Sequence, residues 1–442
     1  MSETNKRNDD LAAFWMPFTP NRAFKQAPRL FERAEGYHFY TTDGRAVLDG
    51  FSGLWCSNLG HSHPKIVEAI QMQAATLDYA PSFNFGHPKS FELANVVADQ
   101  FPGELNHVFF TNSGSESVDT ALKMAIAYHR VRGEGTRTRL IGRVQGYHGV
   151  GFGGISVGGM VNNRKFFGSL LPGVDHMSLP YDPETHAYSR GLTDMDVERY
   201  RKELEGIIAL HDASTIAAVI IEPFAGSAGA FIPPKGYVEM VREVTAKHGI
   251  LMIFDEVITG FGRLGAPNAA TYFGIEPDII TTAKAINNAA VPMGAVIAQK
   301  KIYDTFIEGT KAGVEFFHGY TYSAHPLAVA AGLATQQIIK DEGVYAHVAA
   351  LAPYFEDAVH SLKGEPHVTD IRNLGLACGL TVTTKDGVPG ARAAAVVQKA
   401  YDMGAVIRNN GDTLAIAPIL TMNEGHIDQI VDIVREALRA TD

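Results

Sequence analysis

Cysteine is almost missing from this sequence: Cys56 and Cys378 are the only two in 442 residues. Far apart along the chain, they suggest neither a disulfide framework nor a cysteine metal site, and both read as core or pocket-wall thiols. No metal is expected. Lysine and arginine do not cluster beyond short pairs, and the formal net charge is −10. A general affinity for nucleic acid or anionic membrane needs basic patches and is excluded on that ground. No run approaches the roughly 20 apolar residues required to span a bilayer. The opening MSETNKRNDD has no apolar core of the kind a secretory signal needs, so a cytoplasmic protein is expected. Internal repeats and low-complexity segments are lacking too.

What is present is an ordinary globular composition, 46% hydrophobic and 19% charged, with material for a large core and two domains. From about residue 106, short apolar runs alternate with longer helical patterns, which predicts an α/β domain with a largely parallel sheet. HVFFT (107–111) reads as a strand and ESVDTALKMAIAYHRVR (116–132) as the helix after it. Further strands are expected at RLIGRVQ, IAAVIIEP, ILMIFDE, PDIITT and GAVIAQ. After His325, two helical segments, short strands near 368–371 and 377–384, a helix over 391–403, the hairpin-like VIRNNGDTLAIAP and a final helix over 423–440 predict a smaller α+β domain. The first residues, to about Gly60, carry a hairpin turning at Asp43-Gly44 and are expected to pack on that smaller domain. The expected divisions are 1–60, 61–322 and 323–442.

In such sheets ligands gather at the carboxyl ends of strands. One strand end holds an anomaly. In IITTAKAINN (279–288) a single lysine, Lys284, follows an apolar, β-branched run, where burying an unpaired ammonium is costly. The bland reading is a lysine just past the strand with its head in water. Three other strand ends bear on the choice. TNSGSES (111–117) could bind a phosphate through backbone amides, hydroxyls and a helix N-terminus; alternatively Ser115 simply caps the helix, with Glu116 and Asp119 in its first turn. In GYHG, Tyr147 could stack on a flat aromatic ligand or merely sit at a domain edge. IFDEV ends in adjacent acids, and the two-residue period sends Asp255 and Glu256 to opposite faces. A phosphate cradle, a ring stack, a carboxylate for a pyridine nitrogen and a lysine to bond an aldehyde are the four parts pyridoxal 5'-phosphate needs.

GVGFGG (149–154) has dinucleotide-binding spacing, with Asp175 some twenty residues on. The segment ISVGGMVNNRK after it shows no helical periodicity, so no helix N-terminus is expected there for a pyrophosphate.

Taken with WMPFTP, IIEP, IFDEVITGFGRLG, AKAINNAAVPMGA, HGYTYSAHP and RNNGD, these motifs run over essentially the whole chain. The sequence resembles class III, fold-type I pyridoxal-phosphate aminotransferases. GLWCSNLGHSHP, FNFGHP and HDAS make it most similar to the β-alanine or ω-amino acid:pyruvate group. The resemblance implies that Lys284 bonds the cofactor and moves the proton, that Asp255 pairs with the pyridinium nitrogen, and that Tyr147 and Val257 sandwich the ring. It implies further that Gly114 and Ser115 bind the phosphate with Thr321 of a neighbouring subunit, that Glu222 lies near the cofactor, and that the site straddles a homodimer interface, in a dimer or a dimer of dimers. Arg408 is the implied grip on a substrate carboxylate, swinging away for donors that lack one; its bland reading is a surface loop arginine. Trp55, with Phe83 and Phe85 from the same or the partner subunit, reads as an apolar pocket wall or as core. Many class III members have a glycine pair shortly after the lysine, whereas here the segment is Ile286-Asn287-Asn288-Ala289-Ala290.

The expected activity is transfer of an amino group from an ω-amino acid or primary amine to pyruvate by a ping-pong mechanism. Open alternatives are another chemistry on the same scaffold (diamine or 4-aminobutyrate transamination, an aminomutase, racemase or decarboxylase) and a non-catalytic or nucleotide-binding α/β protein. Arg408 and the aromatic pocket favour the first.

Overall fold

The computed structural model describes residues 11–311 and 313–441, so the charged opening MSETNKRNDD lies outside the described residues. After a short helix, Asn21–Gln26, come three antiparallel strands, β1 (Phe31–Glu35), β2 (His38–Thr41) and β3 (Ala46–Asp49). Asp43-Gly44 makes the β2–β3 turn, where the Gly44 N–H donates to the Thr41 carbonyl at 2.8 Å and Gly44 takes φ +85°.

A seven-stranded sheet follows, built from β4 (Leu105–Thr111), β5 (Arg139–Arg143), β6 (Val174–Met177), β7 (Ile216–Ile221), β8 (Leu251–Asp255), β9 (Ile279–Thr282) and β10 (Gly294–Gln299). Its order is β4-β10-β9-β8-β7-β5-β6. β10 runs antiparallel to both neighbours, and the β9-β8-β7-β5-β6 ladder is parallel. Helices cover both faces, which is why IAAVII, LMIFD and IITT are apolar without alternation and buried at every position. β6 is a strand the composition did not suggest. Its VDHM sequence is half polar because it sits at the sheet edge, mostly half-buried.

Downstream come β11 (Val368–Asn373), β12 (Cys378–Val382), β13 (Ala405–Val406), β14 (Arg408–Asn410) and β15 (Thr413–Ile416). β13 joins β3 in parallel, giving a sheet β1-β2-β3-β13 from the two ends of the chain; the others form an antiparallel sheet β11-β12-β15-β14. The fold is thus α/β with a mostly parallel main sheet and smaller sheets beside it.

Two local expectations are corrected. The helix after β4, Gly114–Val131, is capped by Ser113, not Ser115: the Ser113 Oγ accepts the Glu116 N–H at 3.2 Å, and Glu116 reaches back to the Asn112 N–H at 2.7 Å. A short helix, Phe152–Val157, does form, starting within GVGFGG, despite the missing periodicity, because its last five residues are buried, packed against the Gly114–Val131 helix. Its N-terminal end is already filled: the Gly154 N–H donates to Asp119 Oδ1 at 2.8 Å, and a side chain at Gly151 would lie 2.2 Å from that carboxylate. A pyrophosphate therefore finds no room there.

Candidate active site

The carboxyl ends of β4, β7, β8 and β9 open on one cavity of about 650 Å³, a size suited to a cofactor plus a small substrate. Gly114 and Ser115 lie on its floor. They open the Gly114–Val131 helix, so their N–H groups belong to the first turn, which has no intrahelical acceptors. Ser117 ties this turn to the lysine-bearing strand, its hydroxyl donating to the Thr282 carbonyl at 3.0 Å. Close approach requires glycine twice. A Cβ on Gly114 would press Val257 at 3.0 Å, and one on Gly149, which has φ +83°, would lie 2.4 Å from the Ser115 hydroxyl.

Asp255 and Glu256 do point to opposite faces. Asp255 faces the cavity, where Oδ2 accepts from Nδ1 of His148 at 2.8 Å and Oδ1 accepts the Val257 N–H at 3.1 Å. Glu256 turns away and accepts from the N–H groups of Ala269 and Ala270 and from the Thr259 hydroxyl. Tyr147 lines the cavity, and burial raises its phenol pKa, helped by the Asp255 charge and opposed by Arg408. Glu222 is buried beneath it, accepting the Tyr147 N–H at 2.9 Å; burial pushes its pKa to about 7, against the pull of His148 and Arg143.

Lys284 is half-buried in the same cavity. Burial lowers its pKa, and Cys56, Asp255 and Glu222 oppose that shift in turn. Its backbone is left-handed, φ +52°, as are Asn288 at +56° and Ala289 at +55°. Asn288 compensates with two side-chain bonds, accepting the Leu59 N–H and donating to the Gly60 carbonyl, each at 2.8 Å.

Trp55 forms a wall, 4% exposed and edge-on to Phe51 and Phe224. Arg408 is exposed at the rim. Thr321, Phe83 and Phe85 do not line this cavity; they lie exposed on the surface of their own chain. Two contributors were not expected. His148, 1% exposed, holds Asp255, and the only sequence signal for it was its place beside Tyr147 in GYHG. Pro17, Phe18 and Thr19 reach the cavity from the N-terminal segment. Among the described residues, no group of three or more His, Cys, Asp or Glu side chains could hold a metal ion, and no helix is long and apolar enough to cross a membrane.

Pyridoxal phosphate fits these residues. The helix amides with two obligatory glycines leave space for a phosphate, Tyr147 and Val257 flank the floor, a buried carboxylate faces inward, and a desolvated amine stands opposite. Fold and cavity together define a pyridoxal-phosphate enzyme of the mostly parallel α/β type. The comparisons narrow this: residues 20–438 match the family model for aminotransferase class-III. The chain belongs to the class III aminotransferases, which depend on that cofactor. It is 55% identical to an omega-aminotransferase of Caulobacter vibrioides over 98% of this chain and 99% of that one. It is 49% identical to a beta-alanine–pyruvate aminotransferase of Pseudomonas aeruginosa, over 97% and 96%. Among solved structures, an omega transaminase from Pseudomonas jessenii in complex with PMP superposes with a TM-score of 0.93 at 31% identity, covering 100% of this chain and 98% of that one.

Proposed function

We propose that this enzyme moves an amino group from an ω-amino acid such as β-alanine, or from a primary amine, to pyruvate, yielding an aldehyde, ketone or oxo acid and L-alanine. The observation that carries the reading is the pairing of one exposed guanidinium, Arg408, with an apolar wall of Trp55 and Phe224 around one cavity. A single carboxylate anchor and a hydrophobic slot suit a short ω-amino acid and pyruvate in turn, and an exposed arginine can leave the slot to a neutral amine. The similarity to proteins named for omega-amino acids, β-alanine and pyruvate supports it.

Bound pyridoxal phosphate supplies the electron sink for reaction at the carbon bearing the amino group. The chain does the rest. Gly114 and Ser115 hold the phosphate, joined by Thr321 of a second copy, and Tyr147 and Val257 hold the ring. Asp255 keeps its nitrogen protonated and is itself oriented by His148. Nζ of Lys284 moves the proton at the reacting carbon, and its lowered pKa keeps more of it neutral and able to accept. Glu222 braces the backbone of Tyr147.

A homodimer, or a dimer of dimers, belongs to this reading. Tyr79 and Ser82 donate to the carbonyls of Thr321 and Ser323, joining two loops into one surface that exposes Phe83, Phe85 and Tyr322. Such an apolar surface suits a second copy whose cavity it would complete. The division into residues 1–60, 61–322 and 323–442 and a cytoplasmic setting complete the proposal; free thiols at Cys56 and Cys378 support the latter. The test is a donor panel with pyruvate as acceptor, read as alanine formed. β-Alanine and simple primary amines should be donors; alanine formation from 4-aminobutyrate or putrescine but not from β-alanine would reassign the donor class.

A further inference from the structure

Behind the rim that carries Arg408 lies a buried ion pair with no part in the chemistry above. Arg372 is 2% and Asp370 3% exposed, and Arg372 Nη1 donates to Asp370 Oδ2 at 2.5 Å. The Tyr181 hydroxyl donates to the same Oδ2, and the Tyr188 N–H donates to Oδ1. The guanidinium lies 5.1 Å from the centre of the Tyr181 ring and 4.6 Å from that of Phe231, so little is left free to move.

Its remaining donors all lead to the cavity rim. Nε and Nη2 both donate to the Gly229 carbonyl, at 3.0 and 2.5 Å, and Nη2 also reaches the Thr413 hydroxyl at 3.3 Å. Nη1 reaches the Thr381 hydroxyl at 3.0 Å, which is 3.1 Å from that of Thr413. Gly229 ends the short turn Gly226–Gly229, and Thr413 begins β15 opposite Asn410 of β14. Asn410 in turn donates to the Ser227 carbonyl at 2.8 Å. The contacts close a ring, from Arg372 to Gly229, through the turn to Ser227, across to Asn410, over to Thr413 and back. Arg408 begins the strand that this ring holds and makes up one side of the cavity.

Resting on the reading of Arg408 given above, we propose that Arg372 is a positioning residue for Arg408, fixing the turn and hairpin from which Arg408 reaches a substrate carboxylate and so setting the preference for carboxylate-bearing donors. The ring holds the backbone while the Arg408 side chain stays exposed, which separates a rigid base from a mobile grip. A charged fork placed even about 1 Å off loses much of its bidentate bond, whereas a neutral amine held by the apolar wall does not feel the displacement.

The test uses the cofactor-loaded full-length enzyme and three variants: Arg372→Lys, the charge-neutral pair Arg372→Met with Asp370→Asn, and the milder Thr381→Val. The donor half-reaction is followed alone, since pyruvate also carries a carboxylate, with β-alanine against 1-phenylethylamine. Calorimetric binding of 3-hydroxypropionate, which has the carboxylate but no amine, gives a readout independent of turnover. For the Arg372 variants, β-alanine should require an about tenfold higher half-saturating concentration, with its maximal rate within about twofold, and 3-hydroxypropionate should bind about tenfold more weakly. Values for 1-phenylethylamine should stay within about twofold, and Thr381→Val should move in the same direction by about threefold. Arg372→Lys keeps the charge beside Asp370 but cannot span Gly229 and Thr413 at once, so it should rescue thermal stability and not the β-alanine preference. Equal losses with both donors, or wild-type preference in the variants that fold, overturn the proposal. Arg408→Ala is the control: if it too treats both donors alike, the reading of Arg408 itself fails.

Discussion

Asn288 stands where the chain turns left-handed just beyond Lys284, and its replacement isolates two physical terms. It is 7% exposed, its amide bridges the Leu59 N–H and the Gly60 carbonyl at 2.8 Å each, and both of those residues are buried. Asn288→Gly removes both hydrogen bonds, each worth roughly 1 kcal/mol net and more when the partner is left buried and unpaired, so a loss of about 3 kcal/mol is expected. Asn288→Ala removes the same bonds and adds the steric penalty of a Cβ at positive φ, about 1 kcal/mol. Local hydrogen exchange reads this directly, because the Leu59 amide is itself one of the donors. Exchange in a peptide covering residues 57–63 should speed up by about a hundredfold in Asn288→Gly and about fivefold more in Asn288→Ala, taking 1.4 kcal/mol per tenfold. Thermal midpoints should rank Asn above Gly above Ala. Exchange within about threefold of wild type in both variants, or Ala gentler than Gly, would refute the reasoning.

Three further outcomes follow from the site. Lys284→Ala should abolish turnover in a pyruvate-coupled alanine assay; substantial remaining transamination would remove Lys284 from the mechanism. Asp255→Asn should lower the rate by orders of magnitude with little change in folding by circular dichroism, since the amide no longer holds a ring nitrogen protonated, and an unchanged rate would point to another carboxylate. In the cofactor-free protein, Glu222 has its pKa raised from 4.5 to about 7. The folded state therefore binds the proton more tightly than the unfolded one, and this contribution to stability is full below about pH 4.5 and lost as pH rises through about 7, by at most roughly 3 kcal/mol. The unfolding free energy of wild type relative to Glu222→Gln should therefore fall as pH rises from about 4.5 to about 7; a pH-independent difference would falsify the assignment.

The strand-end chemistry was readable because polar turns stand out against apolar runs. TNSGSES, IFDEV and IITTAK each place a small, acidic or basic side chain where a buried strand stops, and a period of two already separated Asp255 from Glu256. Other features were invisible for identifiable reasons. β6 is half polar at an edge, and the Phe152–Val157 helix forms through burial without a sequence period of its own. Ser113 outcompetes Ser115 as a cap because the chain leaves β4 in an extended conformation at 113, with φ −161° and ψ 163°.

The sequence by itself determined the α/β class, the four strand-end groups that a pyridine-phosphate cofactor asks for and, through its motifs, the resemblance to class III aminotransferases. Tertiary structure alone decided which atoms meet: His148 with Asp255 across 107 residues, Asn288 with Gly60 across 228, and Arg372 with Gly229 across 143. Local sequence encodes what each strand end carries, because side-chain direction repeats with the backbone's own period. Which strand ends become neighbours depends on sheet order and on buried polar groups finding partners, and both are settled by the packing of the whole chain.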